Sequence, residues 1–305
     1  MQNRDTFSGY HPAINFLYFG LVLLFSMCFM HPASRAISLC CSLAYSIYLN
    51  GGKAVRFSLR YLLPMMAAAM LVNPAFNHEG ATILAYLPSG NPLTLESIVY
   101  GLSAAAMMAS VILWFSCYNA VMTSDKFVYL FGRAIPALSL VLSMALRFAP
   151  KFKAQLHTVS EAQRCVGRDV SDGTLPRRIR NAVTIVSILL TWAMENAIET
   201  ADSMKSRGYG LPGRTAFSIY RFDSRDRAAL VWLAFCGVYI ACGGLAGGLY
   251  WRYFPTIKGV AAGAFPASFQ AVYLALGLTP VFLNVQAGRA WARLHREGGR
   301  PCTKA

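Results

Sequence analysis

Charge is what this sequence has least of. Across 305 residues only 13% are Asp, Glu, Lys or Arg, roughly half the usual share of a soluble protein, while 56% are apolar. A soluble globule so poor in charge would expose broad apolar patches and aggregate, which excludes that class and points to the bilayer. Acid is scarcer than base, with 13 Asp and Glu against 28 Lys and Arg and a net charge of +15. In a soluble protein that excess would suggest nucleic acid. In a polytopic membrane protein it sets orientation, so no nucleic-acid partner is expected.

Catalytic and metal-binding patterns are also missing. None of the eight cysteines sits in a CxxC pair, so neither a disulfide framework nor a metal site is expected. The five histidines are scattered, and His78-Glu79, an adjacent pair, reads as exposed loop. No P-loop GxxxxGK[ST] occurs, so the chain itself is not expected to bind or hydrolyse ATP. Apart from Glu96, at a helix start, the apolar segments hold no acid that could support enzyme chemistry within the membrane. The first twelve residues are polar and no small-residue cleavage site follows, so no cleavable signal peptide is expected.

What is present is a set of apolar runs. Candidate membrane spans fall at 14–31, 36–49, 59–75, 95–121, 228–250 and 266–286. Only Pro32 to Arg35 separates the first two, which predicts a tight hairpin. Lys and Arg in alternate connections number 25 on one side and 3 on the other, and the connection 76–94 has none. The heavy side is expected in the cytoplasm, with both termini there and the chain in the cell membrane. The expected organisation is therefore 1–121 with four spans, a cytoplasmic domain over 122–227, and 228–305 with two spans and a basic tail. Two further apolar runs, 127–146 and 182–194, lie inside the middle region. Crossing by both would place the eight basic residues of 147–180 outside, so both are assigned to the cytoplasmic domain. The second run, at 13 residues, is also short for a hydrocarbon core of about 30 Å.

Within that domain Pro136 is expected to start or kink a helix, and Pro150 to end or redirect one. Phe152, Leu156, Val159 and Val166 form a helical stripe stopped at Gly167. A second helix is expected from about Asn181 to Arg207, stopped by Gly208-Tyr209-Gly210. Its Glu195, Glu199 and Asp202 fall on one face. Two helices thus end in related basic tips, AQRCVGRD and DSMKSRGYG. Neither tip builds an enzyme site, so the pair points to a shared partner.

Four motifs in order, Pro92-Leu93-Thr94-Leu95-Glu96, Ala145 to Pro150, Glu161-Ala162-Gln163-Arg164 and Ser206-Arg207-Gly208-Tyr209-Gly210, give the sequence a family likeness over about 120 residues. The chain resembles the transmembrane T component of energy-coupling factor transporters, the vitamin and metal-ion importers of the ABC superfamily. The resemblance implies an all-α polytopic membrane protein of about six transmembrane helices, plus a cytoplasmic domain of long crossed coupling helices. It implies a non-catalytic scaffold between two cytosolic ATPases, which hold the ATP and Mg, and a membrane-embedded, substrate-binding S component. The docking tips carry over as Ser206-Arg207-Gly208 and Cys165-Val166-Gly167. In the first tip Val166 stands where the family has Arg, with Arg164 and Arg168 two residues to either side. Leu138, Leu142, Met144, Ile188, Leu189 and Met194 are the expected S-component contacts. A self-sufficient secondary carrier and the permease of an ordinary ABC importer are the alternative readings. The first would need ionisable groups at mid-membrane, the second a single short coupling loop.

Overall fold

The computed structural model of the chain describes residues 5–77, 79–86, 92–132, 135–212, 220–260 and 263–298. His78 and the side chain of Leu138 lie outside the described residues. The chain forms two compact units, Met1–Thr123 with Tyr220–Ala305, and Ser124–Ile219.

The first unit holds α1 (Pro12–Cys28), α2 (Pro32–Asn50), α3 (Gly52–Phe57), α4 (Leu63–Phe76), α5 (Leu95–Val121), α9 (Ser224–Leu245) and α10 (Ala264–Gly298). The second holds α6 (Ser124–Gly132), α7 (Pro136–Cys165) and α8 (Leu175–Ser206). Two small antiparallel hairpins, β1 (Ile83–Tyr86) with β2 (Pro92–Thr94) and β3 (Trp251–Arg252) with β4 (Lys258–Gly259), close the loops between helices of the first unit. Each of the six expected spans coincides with a helix, and the protein is an all-α polytopic membrane protein.

Local chemistry sets the helix starts. The sequence His-Pro-Ala occurs before α1 and again before α2, and the imidazole Nδ1 accepts the Ala13 N–H in one and the Ala33 N–H in the other. Proline follows each cap, where its missing N–H costs nothing. Asp223 and Asp226 form a capping box at the start of α9, and Thr94 caps α5. Gly52–Phe76 runs as one continuous helix with a π-turn at Ser58–Leu62. Pro64 explains the turn: its ring would clash with the Arg60 carbonyl, and widening the preceding turn relieves this.

Five helices are long and apolar enough to cross a membrane: Gly52–Phe76, Leu95–Val121, Leu175–Ser206, Ser224–Leu245 and Ala264–Trp291. α1 is equally apolar but has 17 residues. α2 is not among them because Ser34, Ser38, Ser42 and Ser46 recur every fourth residue. All four are buried, so this polar stripe faces protein and lets helices approach closely. Ser38 donates to Ser26 of α1 (3.0 Å), Ser26 pairs with Ser110 of α5 (3.0 Å), and the Trp114 indole donates to Ser38 (3.2 Å). Around this seam pack Tyr18, Phe19, Tyr45, Leu233, Ile240 and Leu276.

Three expectations change here. Arg35, expected in the first connection, is buried in α2 and donates to the Ser103 carbonyl at 3.4 Å. Pro150 neither ends nor interrupts α7, which runs through it to Cys165. The carbonyl it orphans, on Leu146, lies on an exposed stretch, where it is open to other donors. The 13-residue apolar run 182–194 is part of a 32-residue helix that starts at Leu175, because Pro176 fits the first turn.

Candidate functional site

α7 and α8 form the second unit's frame. Val159 of α7 clusters with Ile185 and Leu189 of α8, and the Phe152 and Trp192 rings meet edge-on with centroids 5.7 Å apart. The pairs 152 with 192 and 159 with 185 make the helices antiparallel. The C-terminus of α7 therefore sits beside the start of α8, and the C-terminus of α8 lies far from it. From Asn181, which bonds the loop after α7, to Ser206 the rise along α8 is about 38 Å.

Both C-termini are built alike. At the first tip the Arg168 N–H reaches the Gln163 carbonyl (2.9 Å) and the Gly167 N–H reaches the Arg164 carbonyl (3.0 Å). At the second the Tyr209 N–H reaches Met204 (3.0 Å) and the Gly208 N–H reaches Lys205 (3.0 Å). These are two Schellman motifs in the same register. Each needs a left-handed residue after the cap, and Gly167 (φ 76°) and Gly208 (φ 80°) supply it. Val166 and Arg207 are then the two caps, at φ −87°, ψ 6° and φ −85°, ψ 8°. Cys165 and Ser206 occupy the last helical position in each. The two tips therefore present Val166 and Arg207 from equivalent backbone positions, and both side chains are exposed.

Their surroundings differ. The loop after the first tip folds back onto α8. Asp169 accepts the Ser171 N–H (3.0 Å) and pairs with the Arg164 guanidinium (3.3 Å), while the Asp169 carbonyl accepts from Asn181 Nδ2 (2.8 Å). Arg178 donates to the Val170 carbonyl (2.7 Å), and Val170 packs on the Val159–Ile185–Leu189 cluster. Hydrogen bonds from Ser171, with a smaller contribution from Arg164, hold the Asp169 carboxyl below its ordinary range. Arg164 is thus engaged within its own loop, whereas Arg168 is exposed and has no acid partner among the described residues. At the second tip the Ser206 hydroxyl turns back to the Asp202 and Ser203 carbonyls (both 3.0 Å). Lys205 and Arg207 are exposed there, again with no acid partner among the described residues. The loop lock of Asp169, Arg178 and Asn181 was missed by sequence reasoning. The one sequence signal for it was an Asp two residues after a helix-stop glycine.

The six residues expected to meet a membrane partner separate. Leu142 and Met144 are half-buried, and Ile188 and Met194 are exposed. Leu189 is only 5% exposed, in the cluster with Val159 and Ile185, so it packs α8 on α7 and is not a surface residue. The outward face of α8 is instead Ile179, Val183, Val186, Leu190 and Met194, an exposed apolar stripe opposite Ile185 and Leu189. The phase of the 3.6-residue period, anchored on a known buried residue, would have found it.

Residues 10–217 match the family described as CbiQ, cobalt transport protein. Among curated proteins the chain is 33% identical over 104 residues to the energy-coupling factor transporter transmembrane protein EcfT of Lactobacillus helveticus, a match covering 34% of this chain and 38% of that protein. The protein of the same name from Lacticaseibacillus paracasei is 33% identical over 110 residues (36% and 40%), and that from Bacillus selenitireducens 34% identical over 106 (34% and 40%). The matched segment thus spans about two-fifths of these relatives' length. The family match extends over more than half of the chain, and the protein is a member of the CbiQ cobalt transport family.

Proposed function

We propose that this protein is the T component of an energy-coupling factor importer: a non-catalytic membrane scaffold that transmits the motion of two cytosolic ATPases to a membrane-embedded, substrate-binding S component. The observation that carries this reading is the pair of Schellman tips, which offer Val166 and Arg207 from the same backbone frame. One lies beside the start of α8 and one at its end, with a rise of about 38 Å from Asn181 to Ser206 between them. A repeated, exposed, rigid tip fits two copies of one kind of groove. The small residues Cys165 and Ser206 permit close approach, and the glycines fix the exit of the chain. Arg207 adds a planar fork of donors to the acceptors of its partner. ATP and Mg belong to the ATPases, and the cargo, a vitamin or metal ion, to the S component.

Because Val166 cannot donate, the two tips are unequal: the Arg207 tip holds its ATPase more tightly. Arg207→Glu is expected to remove ATPase from the mildly solubilised complex more completely than Val166→Glu. Equal losses would refute the asymmetry, and no loss from either would refute docking by the tips. A self-sufficient carrier would instead transport when reconstituted alone, where a T component is inert.

A further inference from the structure

The first unit carries a groove and a basic pocket that the tips do not use. α9 and α10 flank a groove of 570 Å³ whose lining is apolar apart from Arg225 and Thr279. Ala228, Ala229 and Ala275 leave the room, Phe7 and Ile14 line one side, and the Trp232 indole donates to Thr279 (3.2 Å) within it. From Arg225 to Leu233 the groove follows α9 for about 12 Å. It continues at its Arg225 end into a second pocket of 540 Å³, which shares Tyr10, Arg225 and Leu283 with it and adds Gln286, Arg289 and Arg293.

Three cations converge there. Arg289 and Arg293 are four residues apart on α10, a like-charge pair that destabilises a helix when nothing offsets it. No acid pairs with either among the described residues. Among the described residues the acid paired with Arg225 is Asp223, at 4.0 Å. The other nearby acids are turned inward: Asp226 accepts the His11 and Asp223 N–H groups, and Asp5 accepts from Tyr45 and Ser8. An apolar channel long enough for part of an acyl chain, ending in arginines set at one end of the α9–α10 pair, has the charge and shape of one ligand class. We infer that this is a binding site for an anionic phospholipid. One acyl chain would lie between α9 and α10, and the headgroup phosphate would lie at Arg225, Arg289 and Arg293. The charge asymmetry of the chain assigns that headgroup to the cytoplasmic leaflet.

Native mass spectrometry of the full chain in mild detergent, titrated with phosphatidylglycerol or phosphatidylcholine, tests this. The wild type is expected to prefer phosphatidylglycerol. Arg289→Gln with Arg293→Gln should weaken phosphatidylglycerol by about 30-fold, two charges near an anionic headgroup, and leave phosphatidylcholine unchanged. Ala228→Trp, which fills the groove, should weaken both lipids. Arg289→Lys with Arg293→Lys should keep the preference, which separates lost charge from misfolding. Equal binding of the two lipids by wild type, or an unchanged preference in the Gln variant, would overturn the site. So would displacement of the lipid by millimolar inorganic phosphate, which would mean a free-anion pocket. Loss of a co-purifying membrane protein from Ala228→Trp with lipid retained would also overturn it.

Discussion

Val166 and Arg207 occupy the same position of the same motif, so exchanging them changes one side chain and leaves the frame alone. A charge-assisted hydrogen bond contributes about 1.5–3 kcal/mol, which is about 10- to 150-fold in affinity. Val166→Arg is therefore expected to tighten ATPase binding at the first tip by that factor, measured as the dissociation constant of the purified complex. No gain would mean that the partner's groove offers no acceptor there. The Asp169 lock gives a second test. Its carboxyl titrates below the ordinary aspartate value of about 3.9, so its contribution is present above that pH and is lost as pH falls through the lowered value. Protection of the Val170 and Ser171 amides from hydrogen exchange, relative to the intrinsic rate at each pH, should hold at about pH 4 and be lost as pH falls through the lowered value. Asp169→Asn should exchange fast at neutral pH. The alignment of the tips was legible through the family resemblance, and it rests on a glycine two residues after Cys165 and after Ser206 that closes the same motif in each. The lock was not, because Asn181 and Arg178 meet the carbonyls of Asp169 and Val170 only once α7 and α8 have folded together.

Helix faces follow a different logic. Periodicity located α7 and α8, but not which side of α8 meets α7, since apolar residues surround much of its first half. The buried set Asn181, Ile185 and Leu189 decides it and turns Val183, Val186 and Leu190 outward. Proline rules also misjudged α7: Pro150 breaks a helix when its orphaned carbonyl is buried, and here the neighbouring surface is open. The faces give opposite expectations for adjacent residues. Leu189→Ala should destabilise the second unit by about 2–5 kcal/mol, seen as a lowered melting temperature, with partner binding following stability. Leu190→Asp and Val186→Asp, on the exposed stripe, should leave melting unchanged and release the S component while both ATPases remain bound. If Leu190→Asp leaves all subunits in place, the outward face of α8 is not the S-component surface.

At the scale of the whole chain, the charge distribution is expected to set its orientation. With Arg35 buried in α2, the light side retains only Arg252 and Lys258 in its loops, and the asymmetry is sharper than the raw sequence implies. The positive-inside tendency predicts the second unit in the cytoplasm, yet α8 is long and apolar enough to cross a membrane. If α7 and α8 both crossed, the number of spans would stay even, both termini would keep their side, and the first tip alone would be outside. Cys165 is exposed at that tip and reports the difference. In a background with the other cysteines replaced, a membrane-impermeant maleimide should label Cys165 in inverted vesicles and not on intact cells. Glu79→Cys, in the connection without Lys or Arg, should show the reverse. Labelling of both positions on intact cells would mean that α7 and α8 traverse the bilayer, and a tip outside the cell could not dock a cytosolic ATPase. The coupling role and the orientation therefore depend on the same measurement. The positive-inside tendency predicts its outcome because the eight basic residues of 147–180 would otherwise have to cross the hydrocarbon core.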